Sequence, residues 1–231
     1  MSSTPSSSSD LRLALFDLDY TLLPVDSDYE WGEFLVRAGE VDGPTYRARN
    51  EEFFTQYKAG TLDIHEFLAF SLAPLARLPR SRLDALHAQF MAEVITPNLK
   101  ASARELVAQH REAGDLCAVV TATNAFVTGP IARAFGIPHL IATVPAIEDG
   151  RFTGGVRGLP CFKEGKVARV TAWLESMGLS FDSFTSSCFY SDSRNDLALL
   201  ERVTVPVATN ADAGLLEIAK NRGWRTLSLF Q

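Results

Sequence analysis

Short apolar runs, each ending in polar or turn-forming residues, recur along the chain. A strand buried in a parallel sheet has this pattern because helices cover both of its faces. The predicted strands are 13–16, 116–120, 140–144, 188–190, 203–207 and 226–229. Segments with the helical apolar period separate the later runs, at 99–113, 126–135, 164–177, 196–202 and 213–221. This alternation predicts an α/β fold class with a doubly wound parallel sheet.

Residues 26–96 interrupt the alternation, since they contain no strand-like run and carry apolar residues at helical spacing. Four helices fit this segment, and their start signals are Ser27 with Glu30, Pro44, Asp63 with Glu66, and Ser81 with Asp84. We therefore expect a helical insert, residues 26–96, within an α/β core of residues 10–25 and 97–231. Pro24 and Pro97 flank the insert and mark candidate hinges.

Composition and charge narrow the possible classes of protein. The 231 residues carry a formal charge of −6 and no run of Lys or Arg, which argues against nonspecific nucleic-acid binding. No stretch reaches the ~18 apolar residues of a membrane span. Residues 1–9 are rich in Ser and lack the features of a signal peptide, so we predict a disordered tail. We expect a cytoplasmic monomer or small homo-oligomer that binds neither nucleic acid nor membranes.

The cysteines and histidines give no sign of a disulfide framework or a zinc site. The three cysteines are Cys117, Cys161 and Cys188. They form no Cys-x-x-Cys pair, and the four histidines lack metal-ligand spacing. We expect small buried thiols.

Pairs of carboxylates follow two of the predicted strands. Asp17 and Asp19 follow the first strand in an Asp-x-Asp-x-Thr pattern, and Asp192 and Asp196 follow the strand at 188–190. Open α/β sheets bind ligands at the carboxyl ends of their strands. Carboxylates gathered there repel one another unless a cation is present, and oxygen ligands of this kind suit Mg²⁺. The pattern predicts a magnesium site at the sheet edge.

Two further residues fit a site that binds phosphate. Thr121 ends the second predicted strand, and Lys166 lies near the start of a helix, where a cation does not suit the helix dipole. Mg²⁺ and Lys166 would reverse the local field, so a phosphate could bind despite the acidic surroundings. We expect a small phosphorylated metabolite as the partner.

Together these residues resemble the haloacid dehalogenase superfamily, in particular its phosphoserine-phosphatase-like branch, subfamily IB, with a helical C1-type cap. The matching motifs occur in family order and are DLDYT at 17–21, VVT at 119–121, Lys166, and SDSRND at 191–196. Ser191 departs from the Gly or Asp that many members carry, for which we expect only a small adjustment of the loop. Lys163 competes with Lys166, which we prefer because it continues into the helical pattern.

The resemblance implies a role for each core residue. Asp17 would be the nucleophile that forms an aspartyl-phosphate, and Asp19 the general acid and then the general base. Thr121 and Lys166 would bind the transferring oxygens. The implied Mg²⁺ ligands are the Asp17 carboxylate, the Asp19 backbone carbonyl, Asp192, and Asp196 either directly or through water.

Substrate selection is expected in the cap, because the core handles only the phosphoryl group. Asp26 and Asp28 follow the first motif closely enough to pair with a substrate amine, although both also suit a helix start. Arg49 lies on an apolar helix face, where it would bind a substrate carboxylate or phosphate. Alternatively, the aliphatic part of its side chain packs on that face and the guanidinium reaches solvent. Asn195 is expected to orient the loop or Lys166 and to contribute to substrate binding. Phosphoserine and histidinol phosphate are candidate substrates.

The leading hypothesis is a Mg²⁺-dependent phosphomonoester hydrolase, and three alternatives remain open. A phosphomutase or phosphotransferase uses much the same core. A signalling receiver is also phosphorylated on Asp, although the helical insert and the second Asp pair argue against it. A binding protein without turnover is the third. A dehalogenase fits less well, because it needs no acid for its leaving group.

Overall fold

A parallel β-sheet forms the centre of the protein. The structure is a computed structural model and describes residues 10–230, so the predicted tail at 1–9 lies outside the described residues. The strands are β1 (Arg12–Phe16), β2 (Leu116–Asn124), β3 (His139–Thr143), β4 (Pro145–Glu148), β5 (Arg151–Val156), β6 (Ser186–Ser191), β7 (Val205–Thr209) and β8 (Arg225–Leu227). The main sheet has the order β3-β2-β1-β6-β7-β8 with parallel pairing throughout, while β4 and β5 form a separate antiparallel hairpin.

Helices cover both faces of the sheet and also form the segment that follows β1. They are α1 (Ser27–Arg37), α2 (Gly43–Ala59), α3 (Ile64–Arg77), α4 (Arg80–Phe90), α5 (Thr96–Asn98), α6 (Ala101–Glu112), α7 (Ala125–Ala134), α8 (Glu164–Glu175), α9 (Leu197–Leu200) and α10 (Ala213–Arg222). The predicted α/β class with a doubly wound parallel sheet is confirmed. No helix in the described part of the chain is long and apolar enough to cross a membrane.

Strand β1 shows why these strands are apolar along their whole length. Leu13 and Leu15 point into one core cluster, whereas Ala14 and Phe16 point into the cluster on the opposite face. Because successive side chains of a strand alternate between faces, a strand covered on both sides needs apolar residues at every position. The three cysteines lie buried as free thiols, as expected.

The helix starts of the segment after β1 agree only partly with the sequence signals. Asp63 caps α3, and its carboxylate accepts bonds from two backbone N–H groups of the first turn. The cap of α1 is Asp26 and not Ser27, and α4 begins at Arg80 after Pro79 rather than at Ser81. In both wrong cases an adjacent residue adopts the extended backbone that a cap position requires.

The β4–β5 hairpin was not predicted from the sequence. Its strands are short, and the burial along β5 alternates between exposed and half-buried residues. Phe152 and Val156 of β5 pack against the small core of α3 and α4, which includes Leu72 and Leu83. The hairpin therefore supports the helices after β1 from the side of the sheet.

A close backbone approach fixes where α8 begins. Gly165 lies in the first turn of α8, and a Cβ atom added there would meet the carbonyl oxygen of Pro160 at 2.2 Å. Only glycine lets the preceding loop lie this close to the helix. The next residue is Lys166, so this contact also fixes the starting point of the Lys166 side chain.

We expect Gly165→Ala to destabilise the fold by about 1–3 kcal/mol, because backbone atoms must move to admit the methyl group. Gly129→Ala in α7 is a matched control, since its added Cβ would lie 3.5 Å from a flexible Arg133 side chain. That control should be neutral or slightly stabilising. Urea unfolding of both variants measures the difference, and equal midpoints would contradict the tight contact at Gly165.

Candidate active site

The carboxyl end of the sheet gathers a buried ion-pair cluster. The Lys166 ammonium lies 2.8 Å from Oδ1 of Asp17, at the end of β1, and 2.7 Å from the carboxylate of Asp196. All three side chains are buried, and Lys166 is only 2% exposed. Because β1 lies between β2 and β6, the ends of these three strands meet at this point. The structure thus brings together residues separated by 149 positions in the chain.

The charges of this cluster depend on one another. Burial alone would lower the pKa of Lys166, but the carboxylates of Asp17 and Asp196 raise it above its ordinary value, so the ammonium stays charged. Burial raises the pKa of Asp17 to about 7, although Lys166 opposes that shift. One ammonium therefore compensates the neighbouring carboxylates only in part. Lys163, the competing lysine, bonds instead to the carbonyl of Gly60 at 3.1 Å.

Thr21 links the two carboxylate-bearing loops. Its hydroxyl lies 3.4 Å from Oδ2 of Asp17 and 3.3 Å from Oδ1 of Asp192, and it accepts a bond from the Asp192 N–H at 3.0 Å. In the turn before Thr21, Tyr20 adopts the left-handed backbone conformation, with φ of 57°. Asn210 supports this turn by donating its side-chain amide to the carbonyls of Tyr20 and Thr21. The motif threonine thus fixes the spacing of Asp17 and Asp192.

Asp19 is held apart from the lysine cluster by its own hydrogen bonds. Its carboxylate accepts the backbone N–H of Ser27 at 2.7 Å and the hydroxyl of Thr123 at 2.8 Å. Burial raises the pKa of Asp19 to about 7, as does the nearby Asp26, while these two hydrogen bonds act in the opposite direction. A carboxyl group with this pKa is close to half protonated at neutral pH.

Thr123 was not predicted as a site residue. It lies two positions after Thr121 on β2, and both residues line the same cavity. Since alternate residues of a strand share a face, a Thr-x-Thr pattern at the predicted strand end was the available signal. Thr121 is buried, and its hydroxyl accepts the Thr123 N–H at 3.2 Å.

Oxygen groups that could hold a metal ion lie beside Lys166. Within residues 10–230, no group of three or more His, Cys, Asp and Glu side chains forms a ready-made metal cluster. Asp17 and Asp192 remain as side-chain candidates, with the Asp19 carbonyl as a third. Asp196 accepts bonds from Lys166 and from Ser191, the latter at 2.7 Å, so it serves as partner of Lys166. The expectation that Asp196 contacts a metal, directly or through water, stays a prediction, and the two bonds favour contact through water.

A cavity opens from Asp17 and Asp19 toward the first helices after β1. Its lining combines carboxylates from the sheet edge and α1 with many aromatic rings and one amide. The lining residues are Asp17, Asp19, Asp26, Asp28, Tyr29, Asn50, Phe53, Phe54, Tyr57, Leu62, Ile64, Phe67, Thr121, Ala122, Thr123 and Phe162. The cavity is therefore apolar and acidic, and none of these residues is Lys, Arg or His.

The residues predicted to bind substrate have different positions. Asp26 lines the cavity, but its Oδ1 caps α1 by accepting the N–H groups of Asp28 and Tyr29 at 3.0 Å. Arg49 is not among the described residues that line the cavity. It pairs with Glu52 and Glu66 near the protein surface and stacks on Phe53. Substrate binding by Arg49 stays a prediction, and these contacts favour the alternative in which its stem packs and its guanidinium pairs with acidic neighbours.

Asn195 and its neighbour connect the sheet edge to the end of α2. The Asn195 amide donates to the carbonyl of Tyr57 at 3.1 Å, and Arg194 donates to the carbonyl of Ala59 at 2.9 Å. The last carbonyls of a helix have no partner within it, so these donors satisfy the exposed end of α2. Asn195 is not among the residues that line the cavity, so it contributes by holding the helix that carries Tyr57.

Comparisons with known proteins agree with this geometry. A family model for haloacid dehalogenase-like hydrolases matches residues 14–201. A histidinol-phosphatase of Neisseria meningitidis is 45% identical over 218 residues, covering 94% of this chain and 98% of that protein. A solved structure of a protein with unknown function from Bordetella pertussis is 52% identical, with a TM-score of 0.92 and coverage of 96% of this chain and 100% of the other.

A substrate-bound phosphoserine phosphatase shares the fold, with a TM-score of 0.68 at 17% identity over 95% of this chain and 93% of that one. The family match spans every residue gathered around Lys166, from Asp17 to Asp196. It also favours an enzyme over a signalling receiver. The chain therefore belongs to the haloacid dehalogenase-like hydrolase family and groups with the phosphatases of that family.

Proposed function

We propose that this enzyme is a Mg²⁺-dependent phosphomonoester hydrolase that works through an aspartyl-phosphate on Asp17. The observation that carries the proposal is the different bonding of two carboxylates in one cavity. Asp17 is paired with a lysine ammonium, whereas Asp19 is held by a backbone N–H and a threonine hydroxyl. Lys166 favours the ionised form of Asp17 that a nucleophile needs, whereas the donors to Asp19 are neutral groups that leave it free to carry a proton.

Lys166 and Thr121 support the first step. Lys166 favours the ionised form of Asp17 and fixes its orientation, and its ammonium can also attract the oxygens of a phosphoryl group. The hydroxyl of Thr121 lines the cavity beside Asp17 and can donate to another of those oxygens. Attack by the Asp17 carboxylate forms the bond to phosphorus as the bond to the leaving oxygen breaks.

Asp19 supports the proton transfers. With a pKa of about 7, a protonated Asp19 can give its proton to the leaving alcohol oxygen. The resulting carboxylate can then accept a proton from the water that hydrolyses the aspartyl-phosphate. Ser27 and Thr123 hold the carboxylate in place for both steps.

The residues beside Lys166 fit Mg²⁺. Burial raises the pKa of Asp192 well above its ordinary value, as do Asp17 and Asp196, and Lys166 opposes that rise only in part. Asp17, Asp192 and the Asp19 carbonyl are hard oxygen donors of the kind Mg²⁺ prefers. When bound, Mg²⁺ would neutralise charge on the phosphoryl oxygens. Asp196 would act by holding Lys166 and, through water, by supporting the metal.

The cavity favours histidinol phosphate over phosphoserine. Both substrates carry an ammonium, but phosphoserine also carries a carboxylate, and the lining offers that group no basic side chain. Histidinol phosphate has no carboxylate and adds a planar imidazole, which suits the aromatic lining. The similarity to a histidinol-phosphatase supports the same choice.

Substitution of the two motif carboxylates should separate their roles. Asp17→Asn should abolish turnover of all phosphomonoesters. Asp19→Asn should give a stoichiometric burst of p-nitrophenol from p-nitrophenyl phosphate, because that leaving group needs no proton, followed by turnover slowed by about 10²–10⁴. An alkyl phosphate should give no burst. Rapid-mixing kinetics provides the measurement, and equal behaviour of the two substrates in Asp19→Asn would remove Asp19 as the acid.

Magnesium should stabilise the protein more at pH 7.5 than at pH 5.5. The folded-state pKa of Asp17 is about 7 against an ordinary 3.8, so the metal-free protein loses stability as pH rises through this window. Below pH 7, Mg²⁺ must also displace the Asp17 proton, which weakens binding by up to about tenfold per pH unit.

Thermal unfolding of EDTA-treated protein, with and without added Mg²⁺, measures this effect. The rise in Tm caused by Mg²⁺ should be larger at pH 7.5, and Asp192→Asn should reduce it. An equal rise at both pH values, or one unchanged in Asp192→Asn, would argue against these ligands.

A comparison of two natural phosphomonoesters should reveal the charge preference of the cavity. We expect kcat/KM for L-histidinol phosphate to exceed that for L-phosphoserine by at least about tenfold, or ~1.4 kcal/mol, because the lining offers a substrate carboxylate no basic side chain. Phosphate release with each substrate at saturating Mg²⁺ measures the ratio. A preference for phosphoserine would contradict the assignment.

A further inference from the structure

Asp28 is the unexplained acidic residue of the cavity. It lies in the first turn of α1 and lines the cavity, yet it is only 8% exposed. Its Oδ2 is fully enclosed and has no hydrogen-bond partner in the described structure. A buried carboxylate oxygen without a donor is costly, so its retention in a binding cavity points to a partner that arrives with the ligand.

The neighbouring carboxylates do not share this property. Asp26 accepts two backbone N–H groups as the cap of α1, and Asp19 accepts bonds from Ser27 and Thr123. Asp19 and Oδ1 of Asp26 are therefore engaged by the protein itself. Of the acids on the α1 side of the cavity, Asp28 is the one with an enclosed oxygen left for a ligand.

The charged groups around Asp28 are acidic. Asp26 and Asp19 both act on it, and together with burial they raise its pKa well above the ordinary value. No Lys, Arg or His lines this cavity among the described residues. A cationic ligand would remove this repulsion and favour the ionised form of Asp28. A neutral or anionic ligand would leave the carboxylate uncompensated.

A close contact between α1 and α2 places Asn50 in the same cavity. A Cβ added to Gly32 would lie 2.9 Å from the Asn50 amide nitrogen, so glycine lets the two helices approach. Asn50 Nδ2 donates to the carbonyl of Tyr29 at 3.1 Å. This bond leaves Oδ1 as the amide atom that can accept from a ligand N–H. Phe53 on the same helix adds an aromatic ring that suits a cation or a planar group.

We propose that Asp28 is the residue that selects for a cationic nitrogen in the organic part of the substrate, with Asn50 Oδ1 as a neutral second acceptor. The substrate class is phosphomonoesters of alcohols that carry an ammonium or a protonated imidazole. The inference rests on the proposed phosphatase function and adds to it the residue, Asp28, that recognises the positive charge of the substrate. Asp26, which immediately precedes α1, has its Oδ1 engaged as the helix cap.

The test compares Asp28→Asn with a matched control. Asn keeps the size of the side chain and removes the charge. Glu30→Gln is the control, because Glu30 lies in the same turn of α1 and is not among the residues that line the cavity. Two substrates are used with each enzyme at saturating Mg²⁺, namely L-histidinol phosphate, which carries an ammonium group, and p-nitrophenyl phosphate, which carries no cationic group.

We expect the ratio of kcat/KM for histidinol phosphate to that for p-nitrophenyl phosphate to fall by about 10- to 100-fold in Asp28→Asn, mainly through KM, as for the loss of a charge-assisted hydrogen bond. The control should keep the wild-type ratio. Asp28→Asn should also unfold at the same or a higher temperature, since it removes an unpartnered carboxylate. Calorimetric binding of L-histidinol, the dephosphorylated product, should weaken to a similar extent.

The outcomes separate this inference from the proposed function. If the wild-type enzyme releases no phosphate from either substrate, the proposed function fails. If it is active and Asp28→Asn keeps both the wild-type ratio and the affinity for histidinol, Asp28 is not the selecting group. A lower unfolding temperature with an unchanged ratio would assign Asp28 a structural role. If Asp28→Asn does not fold, Asp28→Ser is measured in the same way with the same criteria.

Discussion

The site depends on one buried ammonium. Lys166 lies between Asp17 and Asp196, and without it these carboxylates could not both remain ionised at the end of the sheet. Two features of the backbone put it there: the parallel pairing of β1 with β2 and β6 brings the strand ends together, and the contact between Gly165 and Pro160 fixes the start of α8. Position and charge of the proposed nucleophile therefore follow from the packing of a loop against a helix.

Much of the core could be predicted from the sequence, because the relevant signals are local. Continuous apolar runs identify strands covered on both faces, and the carboxylates lie directly after two of those runs. The roles of residues in the helices after β1 were harder to predict. Arg49 lies on an apolar helix face, but its direction is decided by Glu66 on another helix, which the sequence does not place beside it. Thr123 and the β4–β5 hairpin were missed because their partners, Asp19 and α3, are distant in sequence.

One loop connects the chemistry to the helices that enclose it. The segment 191–196 supplies Asp192 and Asp196 to the lysine cluster and, from the same turn, Arg194 and Asn195 to the carbonyls at the end of α2. Tyr57, whose carbonyl accepts the bond from Asn195, also lines the cavity. Any movement of α2 away from the sheet must break bonds made by the loop that carries the proposed metal ligand. The position of α2 over the cavity and the arrangement of the carboxylates are therefore linked, because adjacent residues of one short loop determine both.

The acidic character of the protein has a different meaning at each end of the cavity. At the sheet edge, the excess of carboxylates over Lys166 fits the proposed divalent cation, which would make an acidic site compatible with phosphate. At the α1 end, Asp28 faces other acids with no basic residue in the lining. A substrate that is anionic at one end and cationic at the other meets both conditions. The distribution of charge along one cavity, rather than the net charge of −6, is therefore the feature that supports the proposed substrate class.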